Sequence, residues 1–214
     1  MGSLTLLSAA PRSETIVLIR DAIPLKEGVE LEFAVDQRKD FVDTYTMTLH
    51  LDQIEHNPRG EVTGARLSWQ VSEATKHRNY KANGELTTTA LLTGRMLNCT
   101  WLGGQKASPR DTFAWLSRDA CEEALHRGET RFAVDATLAS GRPMRFQRVR
   151  HVQHPVTLHG RAAQLNAMEL RSERGDTLVV LADCNNPLIV ETEILGLASW
   201  RLDKVSAPSK AEGP

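Results

Sequence analysis

Arginines are concentrated between residues 136 and 168, a span that contains no aspartate or glutamate. A guanidinium group presents several N–H donors in a planar fork, which suits phosphate and carboxylate ligands. Side chains alternate between the two faces of a strand, so Arg142, Arg148 and Arg150 would share one face while Arg145 takes the other. The spacing therefore makes Arg142, Arg148 and Arg150 candidate binding residues for an anionic group.

A second interpretation is that these arginines pair across strands with acidic neighbours such as Glu169, Glu173 and Asp135. Because the chain as a whole is balanced, with a net charge of −1, cross-strand ion pairs are the preferred interpretation. Nucleic acid is an unexpected partner, because patches that bind single strands interleave aromatic residues with basic ones. Phe146 is the single aromatic residue of the span.

Three histidines, His151, His154 and His159, fall within nine residues, and imidazole is a frequent zinc ligand. Their spacing is not that of a helical HExxH site. On a regular strand, His154 would point away from the other two. We therefore expect surface histidines at strand ends and predict no metal ligand.

The chain has three cysteines, Cys99, Cys121 and Cys184, and none of them forms a CxxC pair. A zinc ribbon or a thioredoxin-like site is therefore not indicated. We expect three partly buried thiols that behave as small apolar side chains, with a single disulfide as the alternative.

An enzyme is the last of three functional hypotheses. Asp183 precedes Cys184, and a distant histidine would be needed to complete a nucleophilic site; the cluster of His151, His154 and His159 is the other option. The chain contains no GxSxG, GxGxxG or P-loop motif and no paired-carboxylate motif. We accordingly predict no catalytic residue and no cofactor.

Length and composition indicate one globular domain. The 214 residues are 41% apolar and 25% charged, and no run approaches the roughly 20 apolar residues of a membrane-spanning helix. The sequence predicts a single antiparallel β domain over residues 15–205. The segments 1–14 and 206–214 are expected to be flexible.

Two-residue alternation of apolar and polar side chains runs through most of the chain and predicts strands with one wet face. Between residues 44 and 55, Leu49 and Leu51 would face the core while His50 and Asp52 face outwards. A turn at 57–60 would fold this strand against the next one in an antiparallel hairpin. In the threonine-rich stretch 78–92, Asn83–Gly84 indicates a second tight hairpin turn.

One helix is predicted over residues 118–127, where Ser117 is a suitable N-cap and Gly128 a suitable C-terminal stop. The stretch 176–205 is interpreted as three further strands joined by turns. Many short strands with a single helix indicate a mainly β fold. We expect an antiparallel curved sheet, or an incompletely closed barrel, of about ten strands with one packed α-helix.

The segment TLVVLADCNNPLIVE, an apolar strand followed by an Asn-Asn-Pro turn and another strand, resembles bacterial envelope proteins of the lipoprotein-carrier type. The resemblance covers roughly the last 45 residues. That family implies a curved sheet wrapped around a helix, a periplasmic setting and a hydrophobic ligand held between the two. No functional residue is transferred from the family to this chain.

The leading hypothesis is a non-enzymatic protein that binds a small apolar ligand between its sheet and the helix. Leu67, Trp69, Leu165 and Trp200 are the candidate lining residues, although the same side chains would fill a dry core. The second hypothesis is an assembly module that docks a protein partner. It would use a sheet edge or the arginine-rich strand 142–150.

Overall fold

The computed structural model describes residues 17–18, 23, 25–36, 44–59, 62–73, 78–99, 109–136, 139–140, 142–194 and 199–206. Apart from Ser206, the segments predicted to be flexible, 1–14 and 206–214, lie outside these residues. The described residues are mainly β and form one large mixed sheet with two helices. The predicted fold class, an incompletely closed curved sheet, is confirmed.

The strands of the described residues are β1 (Val17–Leu18), β2 (Glu30–Asp36), β3 (Thr44–His56), β4 (Val62–Glu73), β5 (Arg78–Leu86), β6 (Met96–Asn98), β7 (Asp111–Thr112), β8 (Glu129–Ala136), β9 (Ala139–Ser140), β10 (Met144–Leu158), β11 (Arg161–Ser172), β12 (Thr177–Leu181), β13 (Ile189–Glu193) and β14 (Ser199–Ser206). The helices are α1 (Thr88–Thr93) and α2 (Arg118–Arg127).

Neighbouring strands follow the order β5-β4-β3-β2-β14-β13-β12-β11-β10-β8-β6-β7, with β1 beside β11 and β9 beside β8. Most pairings are antiparallel, while β1–β11, β6–β7, β6–β8 and β10–β14 are parallel. The β10–β14 pairing joins Thr157–Leu158 to Lys204–Val205. Because β10 and β14 are also connected through β11, β12 and β13, the sheet curves round so that two of its strands meet. Since the β10–β14 pairing is only two residues long, the strands from β10 to β14 form a partial ring and not a closed barrel.

The core lies on the inner faces of the long strands, as the alternation predicts. In the β2–β3–β4 ladder, Leu31 lies opposite Leu49, and Leu49 lies opposite Trp69. All three side chains are buried and belong to one continuous apolar cluster that also includes Trp200. Full burial of such a side chain stabilises a fold by about 1.5–3 kcal/mol, so this inner face fixes the register of β2 to β5.

Helix α2 has the predicted bounds. The Ser117 hydroxyl accepts a hydrogen bond from the Ala120 N–H, and Gly128 ends the helix with φ 79°, a left-handed conformation that glycine adopts without strain. The helix buries Ala120, Cys121 and Ala124 and contacts α1, β8 and β10. In the described part of the chain, neither helix is long and apolar enough to span a membrane.

The predicted turn at Asn83–Gly84 is wrong, because β5 continues straight through it. A Cβ atom at Gly84 would lie 2.9 Å from Phe113 Cζ and 3.1 Å from Trp69 Cζ3. Gly84 therefore provides room for two aromatic rings, and its lack of a side chain is a packing requirement and not a turn signal.

The expectation of a single helix is also corrected. Helix α1 follows β5 within the stretch interpreted as threonine-rich strand, and its first turn is capped by Thr87, whose hydroxyl accepts from the Ala90 N–H at 3.2 Å. Strand β10 is longer than predicted and passes through Pro155. In the described part of the chain, β10 has no paired strand between Arg148 and Thr157 on its side away from β11. The missing N–H of Pro155 is therefore tolerated there.

Candidate ligand-binding trough

The outer face of β2 to β5 carries a continuous row of polar side chains. The register places Glu30 opposite His50, His50 opposite Ser68, and Ser68 opposite Asn83. Directly opposed residues of antiparallel strands have Cβ atoms about 4.5–5.5 Å apart, so these four side chains are neighbours across the sheet. The alternation that buries the apolar residues of these strands thus places a polar row on the outside.

A β-bulge adds a carboxylate to this row. The register shift between Leu51 and Gln53 leaves Asp52 without a directly opposed residue on β4. Its Oδ1 accepts a hydrogen bond from Ser68 Oγ at 2.9 Å, and the Nδ1 of His50 lies 3.4 Å from the Oε1 of Glu30. Because each carboxylate can accept several hydrogen bonds, both retain capacity for a ligand after these contacts.

Two cavities lie along this face and share Asp52. The first has a volume of 530 Å³ and is lined by Gly28, Glu30, His50, Leu51, Asp52, Ser68, Trp69, Gln70 and Lys81. The second has a volume of 780 Å³ and is lined by Asp52, Gln53, Arg66, Leu67, Asn83, Gly84, Glu85, Thr87 and Pro109. Both volumes are in the range of small-molecule sites. We refer to the two cavities together as the polar trough.

The polar trough mixes both signs of charge with neutral hydrogen-bonding groups. Its carboxylates belong to Glu30, Asp52 and Glu85, and its cationic groups to Arg66 and Lys81. Three amide side chains, of Gln53, Gln70 and Asn83, line the same cavities. Amides both donate and accept hydrogen bonds, so the lining as a whole suits a ligand that does the same.

The arginines of the 142–150 strand do not form a single cluster on one strand face. A bulge between Arg148 and Arg150 breaks the regular alternation. Arg148 donates to the carbonyl oxygen of Leu125 near the end of α2, and Arg145 forms an ion pair with Glu129. The Arg145–Glu129 pair agrees with the cross-strand interpretation, whereas Arg148 contacts a backbone carbonyl and not an acidic side chain.

Arg142 is exposed just before β10. Binding by Arg142, Arg148 and Arg150 stays a prediction.

Glu169 is a buried carboxylate that two arginines hold in place. Its side chain is 7% exposed and accepts hydrogen bonds from Arg150 Nε and Arg171 Nη2, each at 2.7 Å. Burial by itself raises the pKa of Glu169, but the hydrogen bonds and charges of the two arginines together outweigh burial, so the pKa lies below its ordinary value. The predicted partner of Arg150 is thus confirmed as Glu169.

The expectation of surface histidines at strand ends is wrong for His154, which is buried within β10. His154 is buried; its Nε2 donates to the Leu202 carbonyl oxygen at 2.9 Å, and its Nδ1 lies 3.7 Å from Glu191 Oε2. His151 is exposed on β10, and His159 occupies the exposed turn before β11 with φ 49°. Within the described residues, no three His, Cys, Asp or Glu side chains form a group that could hold a metal ion.

The expectation of three free thiols is wrong. Cys121 on α2 and Cys184 in the β12–β13 loop form a disulfide with a Cα–Cα distance of 5.5 Å, and Cys99 is free and buried. Helix α2 docks beside that loop, which brings together two cysteines that lie 63 residues apart in the chain. The disulfide also consumes the Cys184 thiol that a nucleophilic mechanism would require.

The four residues predicted to line an apolar ligand site lie in the core, although Trp69 and Leu67 also border the first and second cavity of the trough respectively. Leu67, Trp69, Leu165 and Trp200 are each 1–2% exposed and belong to the same apolar cluster. Trp69 also packs against Phe113, with ring centroids 5.8 Å apart. A ligand held between sheet and helix would have to displace such contacts, and this site stays a prediction.

Of the residues that line the polar trough, the sequence indicates Leu67 and Trp69 as binding candidates, for an apolar ligand, and none of the polar ones. The outward positions of His50 and Asp52 were predicted from the alternation, which was the available signal. What the sequence did not show was the register that aligns them with Ser68 and Asn83, or the bulge at Asp52. A solvent-exposed face of a sheet becomes a candidate site only when the strand register and the curvature of the sheet place its polar side chains around a cavity.

Comparison with known proteins adds little to this geometry. No protein-family model and no curated protein matches the chain. One solved structure, described as a "putative lipoprotein" from Parabacteroides distasonis ATCC 8503, matches with a TM-score of 0.30 and 7% sequence identity. The match covers 86% of this chain and 97% of that one. It is consistent with the resemblance noted in the sequence, but at this TM-score it supports no argument about function.

Proposed function

We propose that the chain is a non-enzymatic binding protein that holds an extended, neutral, hydroxyl-rich ligand, such as an oligosaccharide, in the polar trough. The observation that carries the proposal is the pair of adjoining cavities, of 530 and 780 Å³, on one polar face of the sheet. Side chains that both donate and accept hydrogen bonds around these cavities can bind the hydroxyl groups of such a ligand.

The charges of the trough favour a neutral ligand. An anionic ligand would meet the carboxylates of Glu30, Asp52 and Glu85, while a cationic ligand would meet Arg66 and Lys81. Burying a charge beside a like charge is unfavourable. Hydroxyl groups both donate and accept hydrogen bonds, so a hydroxyl-rich ligand can use the carboxylates, the cations and the amides at once.

The contacts within the trough support binding more than nucleophilic catalysis. Ser68 and His50 are cross-strand neighbours, as a nucleophile and its base would have to be. The Ser68 hydroxyl, however, donates to Asp52, and the Nδ1 of His50 lies beside the carboxylate of Glu30. The arrangement therefore consists of two neighbouring polar pairs, Ser68–Asp52 and His50–Glu30, and each can form hydrogen bonds with a ligand. It does not contain a serine activated by a histidine.

The small apolar ligand expected from the sequence receives less support. Its proposed lining, Leu67, Trp69, Leu165 and Trp200, already fills the core. The Cys121–Cys184 disulfide supports a different part of the expectation, since disulfides persist in oxidising compartments such as the bacterial periplasm and cell surface. We therefore propose a location in the bacterial cell envelope.

Titration calorimetry with neutral hexasaccharides of glucose, mannose and N-acetylglucosamine tests the proposal. At least one should bind, and Ser68→Ala or Asn83→Ala should weaken it by up to about tenfold for each hydrogen bond lost. Thr46→Ala is the matched control, because Thr46 is exposed on β3 but does not line either cavity. If Ser68→Ala and Asn83→Ala both bound the ligand as tightly as the wild type, the proposed site would be wrong. A small apolar molecule retained in native mass spectrometry would favour the core ligand instead.

A further inference from the structure

Strand β5 is the outer strand at one end of the sheet order. It spans nine residues, and among the described residues it pairs only with β4. A strand in this position presents a line of N–H and C=O groups that no neighbouring strand of the sheet uses. Such an edge is suited to the addition of another strand.

We propose that β5 pairs with β5 of a second copy, antiparallel about a two-fold axis at Asn83. In this register, Lys81 lies opposite Glu85 of the second copy, and the symmetry creates this pair twice. Both side chains are exposed. Opposed residues in an antiparallel pair point to the same face, so each ammonium group meets a carboxylate across the new strand boundary.

The charge pattern selects this register over its neighbour. An axis at Ala82 would place Lys81 opposite an uncharged Asn83 and would leave its charge without an opposed carboxylate. With the axis at Asn83, the inner face brings Ala82 opposite Gly84, both half-buried in the single copy. These small residues leave no bulky group on the inner face of the new strand boundary, where the two backbones would lie at the ordinary spacing of a β-ladder, about 4.7–4.9 Å.

The second copy would contribute to the binding site. Lys81 lines the first cavity of the trough, and Asn83 and Glu85 line the second. Pairing at β5 therefore joins two polar faces of four strands each into one face of eight strands. A polymeric ligand could then contact both troughs at once, and its second contact would benefit from a high effective concentration. The pairing itself does not depend on the proposed ligand.

Analytical ultracentrifugation of the full chain without ligand, over a range of concentrations, tests the pairing through its charges. The wild type should show a monomer–dimer equilibrium. Lys81→Glu and Glu85→Lys should each raise the dimer dissociation constant by about tenfold, because two attractive pairs become repulsive. The double variant Lys81→Glu/Glu85→Lys should restore the dimer. Arg161→Glu, an exposed charge reversal on β11, is the control and should leave the equilibrium unchanged.

Cysteine cross-linking tests the register. Asn83→Cys should form a dimer disulfide on mild oxidation, because directly opposed Cα atoms lie within the range that a disulfide bridges. Ala82→Cys should cross-link poorly, and the buried Cys99 should not compete. A monomer at all concentrations, a double variant that stays dissociated, or preferential cross-linking through position 82 would each overturn the proposal. Circular dichroism of each variant excludes misfolding as the cause.

Discussion

The two halves of the sheet use their charged side chains differently. In the half from β8 to β14, together with α2 and the segment before β6, charged groups connect separate elements. Arg95 donates two hydrogen bonds of 2.7 Å to Glu123 on α2, which holds the pKa of Glu123 below its ordinary value, and Arg150 and Arg171 hold Glu169. In the half from β2 to β5, polar side chains line an open face. Charge therefore stabilises the architecture in one half and remains accessible to a ligand in the other.

The regularity of the strands explains this difference. Strands β2 to β5 form an antiparallel ladder that pairs the backbone along most of its length and is interrupted only by two register shifts between β3 and β4. The other half contains α2 and an irregular β12–β13 loop, whose polar groups need side-chain partners. Asn186 illustrates this: its Oδ1 accepts from Trp115 Nε1 at 2.9 Å, and its Nδ2 donates to the Ile23 carbonyl oxygen at 2.8 Å. Irregular backbone requires such connections, and a regular ladder does not.

The largest expected effect is on the disulfide that joins α2 to the irregular loop. Cys121→Ala/Cys184→Ala should lower the free energy of unfolding by about 2–4 kcal/mol, because the cross-link restricts the unfolded chain over a loop of 63 residues. Urea titration measures this loss. Dithiothreitol should destabilise the wild type by a similar amount and leave the double variant unchanged. Equal stability of the wild type and the double variant would show that the disulfide does not hold this half together.

Glu169→Gln should have the next largest effect, about 1–2 kcal/mol at neutral pH, because two charge-assisted hydrogen bonds are lost and the arginines can partly rehydrate. The pKa of Glu169 in the folded protein lies below its ordinary value, which the unfolded chain retains. Its stabilisation is therefore fully present above that value and is lost as pH falls through the folded pKa.

Urea titrations of the wild type and Glu169→Gln at several pH values measure this difference. The gap between the two proteins should be constant from pH 6 to 8 and narrow below about pH 4.3. Glu122→Gln is the control, since Glu122 is exposed on α2. A gap that does not change with pH would mean that Glu169 is not held as a carboxylate.

The sequence predicted the local elements best where a single residue type decides the backbone. Ser117 and Gly128 set the bounds of α2, and the turn after His56 folds β3 onto β4, because capping and turn chemistry act over a few residues. Gly84 shows where this reasoning fails. Asn-Gly favours a hairpin locally, but the space needed by Phe113 and Trp69 decides the position, and those rings come from distant parts of the chain.

The candidate site was harder to predict than the fold for the same physical reason. Period-two alternation identified which side chains of β3 face outwards, including His50 and Asp52. It could not identify their neighbours, because the register of β4 and β5 depends on packing of the opposite face. Trp69 and Leu67 are large and apolar, which makes them candidate lining residues, but the same properties place them in the core.

The smallest effect, and the sharpest test of the comparison, is expected in the trough. Gln70→Ala and Asn83→Ala should change the free energy of unfolding by less than about 0.5 kcal/mol, because neither side chain is fully buried and the ladder beneath them is complete without them. The same urea titration measures both. If these variants lost as much stability as Glu169→Gln, the polar groups of β2 to β5 would be part of the architecture, and the contrast between the two halves would disappear. If they lose ligand affinity but not stability, the trough is a binding surface that the fold supports and does not need.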